Sequence, residues 1–337
     1  MRIFALTALA SGVLFACSTP TPTPSIETIG SIDRVMPELD AIVAPGAQIE
    51  VLARGYVWPE GPVWVEDEQA LYFNDVPENK MYRWTAETGA NLFLAPSGGA
   101  TPEMAEVMRE PGANGIIEWS GAPGKLLLAD HGARGLSVLD PVSKSRDTIV
   151  STHDGKSLNS PNDIVERSDG ALFFTDPPYG LKNLNEAAEK ELSYNGVYRL
   201  DAGQPAALII DDLSFPNGIG LSPDEETLYV AVSDPEGPVI MAYDTTPAGG
   251  VSNARVFFDA AEDLKDGGGL PDGMDIARNG TIFATGPKGV YVLSPKGEVL
   301  GTISTGMATS NCTLNDDETY LYMTSSSVLA RVPVKLK

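Results

Sequence analysis

NCTLNDDETYLYMTSSSVLARVPV, residues 311–334, carries three short apolar runs: CTLN, YLYMTSS and VLARVPV. Everything upstream repeats a plan of four. GPVWV, ALYFND, KMYRWT and NLFLA are followed by GIIEW, KLLLAD, GLSVLD and DTIVS. DIVER, ALFFTD, GVYRLD and ALIID come next, then GIGLS, TLYVAVS, VIMAYD and ARVFFD, then GMDIA, TIFATG, GVYVLS and EVLGTIS. Short apolar or alternating runs broken by Gly, Pro, Asp and Asn describe four-stranded antiparallel units. The run missing from the sixth unit is available at the other end of the chain, as QIEVLARG at 48–55. An N-terminal strand that completes the last unit closes a ring and protects its edges, which an open solenoid has no need to do. The expected fold is all-β: a six-bladed β-propeller of four-stranded antiparallel blades over residues 47–337, its last blade completed by an N-terminal strand.

Each unit opens on a polar residue: Glu60, Asn114, Asn162, Asn217, Asp272 and Asn311. Four of the six are followed by Gly. A recurrence every 40 to 55 residues or so is typical of stacked or radial repeats. In a propeller the first strand of each blade lines the central channel, so these six residues converge near one mouth. Any one of them alone reads as a turn residue, because Asn-Gly and Asp-Gly are ordinary turn signals. As a set they form an oxygen-rich ring. Glu60 and Asp272 supply anionic oxygens and Asn162 and Asn217 neutral ones, a donor set suited to Ca²⁺ or Mg²⁺, with Mn²⁺, Fe²⁺ or Zn²⁺ as further candidates.

Composition narrows the rest. Lys and Arg number 23 against 46 Asp and Glu, a net charge of −23, which argues against nucleic acid and favours cations or neutral small molecules. Two histidines, His131 and His153, are too few for a three-His zinc site. No G-x-S-x-G nucleophile elbow occurs. Residues 1–17 run from a basic start through an apolar stretch to LFAC, the pattern of a signal peptide ending in a lipobox-like Cys17. STPTPTPS follows, so 18–46 is expected to be tether and entry segment. The expected location is the periplasm, with the chain lipid-anchored to the outer membrane through Cys17 and no other membrane contact. Cys312 then has no intramolecular partner, and a buried inert thiol is its expected state. The residues set no oligomeric state.

WPEGPVW at 58–64, LNSPNDIV at 158–165, FTDPPYGL at 174–181, FPNGIGLSPDEETLYV at 215–230 and PDGMDIA at 271–277 together resemble the gluconolactonase and regucalcin family of six-bladed propeller lactonases, related to diisopropyl fluorophosphatase. The resemblance spans about residues 47 to 335. It implies one divalent metal held by Glu60, Asn217 and Asp272, with Asn162 at or near it, and hydrolysis of sugar-type lactones. By the same resemblance Asp272 lies beside the attacking water as general base; metal-hydroxide attack with Asp272 orienting, or direct attack by Asp272, are the alternatives. Ser160 stands where some members carry a substrate-binding Arg.

Further substrate-binding candidates are Asn114, His131, Arg134, Asp176 and Tyr179. ADHGARGL at 129–136 and TDPPYGL at 175–181 end the second strands of their units, near the ring mouth. A structural His and turn-capping carboxylate are the competing readings there. Trp58 is a candidate pocket wall, and Trp64, Trp84 and Trp119 are expected between blades. Loops 96–113, 181–195 (the clearest helical stretch) and 261–271 are expected to set recognition. An organophosphate or other ester hydrolase using the same metal, and a propeller that binds a ligand without turnover, are the rival functions.

Overall fold

A computed structural model describes residues 26–246, 249–265 and 267–336. The expected signal segment, Cys17 and the tether to residue 25 lie outside the described residues. Six antiparallel sheets stand radially. Blade one is Pro59–Val65, Ala70–Asp75, Lys80–Thr85 and Gly89–Leu94; blade two is Ala113–Glu118, Leu126–Asp130, Gly135–Leu139 and Arg146–Val150. Blade three is Ile164–Glu166, Leu172–Asp176, Asn195–Leu200 and Ala207–Leu213; blade four is Pro216–Leu221, Thr227–Val232, Val239–Thr245 and Val251–Asp259. Blade five is Met274–Ile276, Ile282–Gly286, Gly289–Leu293 and Val299–Ser304. Blade six is Thr309–Leu314, Tyr320–Ser325 and Val328–Pro333, completed by the N-terminal Ile49–Arg54. Innermost strands touch in succession all the way round, blade six returning to blade one.

Strand position explains the sequence pattern. Second strands are covered on both faces by neighbouring blades, so Ala70–Asp75 and Leu172–Asp176 are buried throughout and read as continuous apolar runs. Outermost strands meet water, and Arg146–Val150 is mostly exposed. Aromatic rings lock the closure: Trp64 of blade one stacks on Tyr322 of blade six with centroids 5.4 Å apart, and Trp84 lies 5.8 Å from the same ring.

Two sequence-based expectations need correction. From residue 26 the 18–46 segment is part of the body. Thr28–Ile29 pairs outside Ile49–Arg54, and Ser31–Arg34 pairs outside Val299–Ser304, giving blades five and six a fifth strand each. Leu39 and Ile42 of the short helix Leu39–Ile42, and Val43 just after it, are buried in the core of those two blades. Scattered apolar residues with no strict period drive this docking, and periodicity could not reveal them. The helical expectation for 181–195 reduces to one 3-10 turn, Leu184–Glu186. There Lys190 Nζ donates to the carbonyls of Leu192 and Tyr194, and Leu192 is buried, which holds an irregular loop. A regular helix instead forms in the first excursion, Pro102–Val107, capped by Thr101.

Candidate active site

The six residues that open the innermost strands sit at one end of the channel because each blade is tied to the next there. Asn74 Nδ2 donates to Asn114 O at 2.8 Å, Thr175 Oγ1 to Asn217 O at 2.6 Å, and Ser310 Oγ to Pro59 O at 2.5 Å. Main-chain bonds add to these, Gly115 N to Asn162 O and Gly218 N to Asp272 O. The Gly after the polar residue is a consequence of this contact. A Cβ on Gly61, at φ +53°, would lie 2.0 Å from Asn114 O, and one on Gly218 would lie 2.1 Å from Asp272 O.

Glu60, Asn114, Asn162, Asn217 and Asp272 share the wall of a cavity of about 240 Å³. Trp58, Tyr179, Ser233, Arg109, Glu110 and the Gly268–Leu270 loop complete much of it. Glu60 accepts Gly61 N and Asn311 Nδ2 on the same oxygen, Oε2, at 3.0 and 3.3 Å. Asn311, the sixth ring residue, therefore orients Glu60 and does not line the cavity itself. Asn217 donates Nδ2 to Ser233 Oγ at 2.9 Å, which leaves Oδ1 for the cavity, and Ser233 in turn donates to Pro271 O beside Asp272. Oδ1 of Asp272 and Oδ1 of Asn114 are buried with no hydrogen-bond partner.

Burial raises the carboxyls of Glu60 and Asp272 well above the usual carboxylate range. Repulsion adds to it: Glu60, Asp163 and Glu110 act on Asp272, and Asp163 and Glu110 on Glu60. Convergent oxygens, orphaned acceptors and mutually repelling carboxylates are what a hard cation would relieve. Among the described residues no three His, Cys, Asp or Glu side chains gather as a metal-binding group. A cation here would draw on two carboxylates and amide oxygens, and the residues present fit one.

Of the substrate-binding candidates, Asn114 and Tyr179 line the cavity; Tyr179 stacks on Phe215, and its OH lies 3.5 Å from Ser233 O. His131, Arg134 and Asp176 do not line it, a correction to the expectation from their place at the strand ends. Each strand-two terminal carboxylate in the first three blades turns back onto the main chain. Asp75 accepts Val57 N and Trp58 N, Asp130 accepts Gly99 N and Ala133 N, and Asp176 accepts Asn159 N and Ser160 N. These carboxylates fix the loops that deliver the ring residues. Arg134 spends Nε on the carbonyls of Leu158 and Asn159, and His131 is fully buried with both ring nitrogens unpaired. Burial drives His131 down to about 3, so its ring is neutral. Ser160 shapes the Tyr179 loop, donating to Pro177 O and accepting Gly180 N. Trp58 walls the pocket as expected.

Arg109, Glu110 and Ser233 escaped the sequence reading. Ser233 directly follows the second strand of blade four, and the run TLYVAVS aligns it with Asp176 of ALFFTD in blade three, so the repeat alignment held a signal. Arg109 and Glu110 lie in the 96–113 excursion, which has no counterpart in other repeats.

A family model for the SMP-30/gluconolactonase/LRE-like region matches residues 58–327. A gluconolactonase from Zymomonas mobilis subsp. mobilis is 43% identical over 312 residues, covering 91% of this chain and 87% of that protein. An L-arabinolactonase from Azospirillum brasilense is 29% identical over 279 residues, covering 80% and 81%. The solved structure of a gluconolactonase from Xanthomonas campestris superposes with a TM-score of 0.79 at 28% identity, covering 94% of this chain and 99% of that one.

Proposed function

The chain belongs to the SMP-30/gluconolactonase/LRE-like family of lactone-hydrolysing enzymes, and from that premise we propose that it opens sugar-type lactones at the Glu60–Asp272 end of its channel. One observation carries the reading: Glu60, Asn114, Asn162, Asn217 and Asp272 converge on one cavity, and Asp272 Oδ1 and Asn114 Oδ1 find no partner within the protein. Glu60, Asn162, Asn217 and Asp272 would hold a divalent cation, Ca²⁺ first among the candidates. When bound, it supplies Lewis-acid polarisation of the ester carbonyl and stabilises the charge that develops on its oxygen.

The chain's own residues do the rest. Asp272 Oδ1 accepts a hydrogen bond from water and takes its proton as the water oxygen bonds to the carbonyl carbon. The ring C–O bond then breaks, and the same carboxyl returns the proton to the departing alkoxide. The product is an open hydroxy acid, which releases one proton at neutral pH. Asn114 and Tyr179 contact the lactone ring and fix its approach. Trp58 and Gly268–Leu270 wall the cavity against bulk water.

A pH-indicator assay on glucono-1,5-lactone tests the reading, run as prepared, after chelation, and with Ca²⁺, Mg²⁺, Mn²⁺, Fe²⁺ or Zn²⁺ restored. Turnover lost with chelator and recovered with one ion is the expected result. Phosphotriester turnover exceeding lactone turnover would favour the organophosphate hydrolase, and ligand binding without turnover of either would favour a binding propeller.

A further inference from the structure

Three carboxylates and one cationic side chain line the cavity: Glu60, Glu110 and Asp272 against Arg109. Resting on the lactonase reading, we propose that Glu110 is the specificity-determining residue, accepting a hydroxyl of a neutral polyhydroxylated lactone and turning away lactones that bear a carboxylate.

Glu110 is unusual for a wall residue. It is 6% exposed, whereas the Arg109 side chain beside it is half exposed. Both guanidinium bonds, from Nε at 2.9 Å and Nη2 at 2.5 Å, fall on Oε1. His131 Nδ1 lies 3.8 Å from Oε2, too far for a hydrogen bond. One oxygen of a largely buried carboxylate is therefore left facing the cavity without a protein donor, until something there supplies one. A ligand hydroxyl in the cavity does so.

Glu110 is also held rigidly. Arg109 N and Glu110 N both donate to Gly180 O, at 2.9 and 3.3 Å, and Lys182 N donates to Val107 O. Met108 pairs with Leu181. The loop of blade two is thus fastened to the segment carrying Tyr179, which ties the two walls together. A donor-accepting group on a fixed backbone discriminates strongly against ligands that lack the hydroxyl.

Charge points the same way. Three negative side chains, one positive side chain and a divalent cation leave the loaded cavity neutral, which suits a neutral ligand. Without Glu110 the balance becomes +1, and Arg109 is released to pair with an anion.

Glu110→Gln keeps the shape and Glu110→Ala removes the group; melting curves check that each folds. Each is assayed, metal-loaded, on glucono-1,5-lactone, on δ-valerolactone, which has no hydroxyl, and on glucaro-1,4-lactone, which carries a carboxylate. For Glu110→Gln, kcat/KM on gluconolactone is expected to fall roughly 10- to 100-fold, mostly through KM. Valerolactone should stay within about threefold, and glucarolactone should improve relative to gluconolactone. A parallel loss on all three, or no change on any, overturns the proposal. A binding arm runs independently of turnover: calorimetry with 1,5-anhydroglucitol, a cyclic polyol with no ester. Affinity about tenfold weaker in Glu110→Gln supports the assignment, and equal affinity overturns it. If the wild type opens no lactone, the lactonase reading fails while the calorimetry still decides the role of Glu110.

Discussion

A proton must leave the attacking water as the lactone opens, and Oδ1 of Asp272 is buried at the ring with no partner in the protein. Asp272→Asn keeps an oxygen ligand and a hydrogen-bonding side chain but cannot hold that proton. In metal-saturated protein its kcat should fall by about 10²–10⁴, with KM little changed. If Asp272 only orients the water, the Asn variant should stay within about tenfold of wild type, so initial rates separate the two roles. His131 makes a contrasting case, since its ring is buried beside Glu110 and held neutral. A base lowered in the fold binds fewer protons there than in the unfolded chain, so its contribution is intact above pH 6.5 and drains away on acidification toward its folded value of about 3. His131→Leu should therefore match wild-type stability near pH 7 yet exceed it at pH 4, by up to about 3 kcal/mol. Parallel denaturant curves at the two pH values check this, and an equal gap at both would refute it. The sequence hid this burial. ADHG ends a second strand near the channel mouth, but which way a strand-end side chain turns depends on local pleat and loop. Asp130, one residue earlier, already turns back to Gly99 N.

Strands and their connections were the most legible elements, for a physical reason. A blade buried on both faces must be apolar along its second strand, and turns between blades must carry Gly, Asn, Asp or Pro. The shortfall of one strand after Asn311 and the surplus at Ile49–Arg54 were both visible in the chain, and they pair. Glu110 was not legible, because its loop repeats nowhere and reaches the cavity through a contact with Gly180 of another blade. The docked N-terminal segment escaped for a similar reason: Ile29, Ile32, Leu39, Ile42 and Val43 follow no single period. Burying Leu39, Ile42 and Val43 is worth about 1.5–3 kcal/mol per side chain before the entropy of ordering the segment is subtracted. Residues 28–34 also cover the outer edges of blades five and six. A chain begun at residue 47 should melt several degrees below one begun at residue 26, and should aggregate sooner on heating. Coincident melting curves would mean that the segment is carried without contributing.

At the scale of the whole molecule, the ring that makes the site is also where closure is electrostatically strained. Glu60 comes from blade one and Asp272 from blade five, and each is raised by burial and by the other carboxylates around the channel. Without a cation, these groups bind protons more tightly in the folded ring than in the unfolded chain. Folding then takes up protons between the ordinary carboxylate range and the raised values. Stability of the metal-free protein must fall as pH rises through that window, because the unfolded chain is the state that holds fewer protons. A cation shared by Glu60, Asn162, Asn217 and Asp272 would bridge blades one, three, four and five. It would push both carboxyls back down and remove the penalty. Its stabilisation adds to ordinary mass-action linkage. The gap in Tm between Ca²⁺-loaded protein and protein freed of metal by dialysis should therefore widen from pH 5.5 to pH 8. Scanning calorimetry at both pH values, with Ca²⁺ saturating in the loaded samples, reads this directly. A gap that is constant, or that narrows toward pH 8, would mean that the cation does not sit between Glu60 and Asp272, even if activity depends on it.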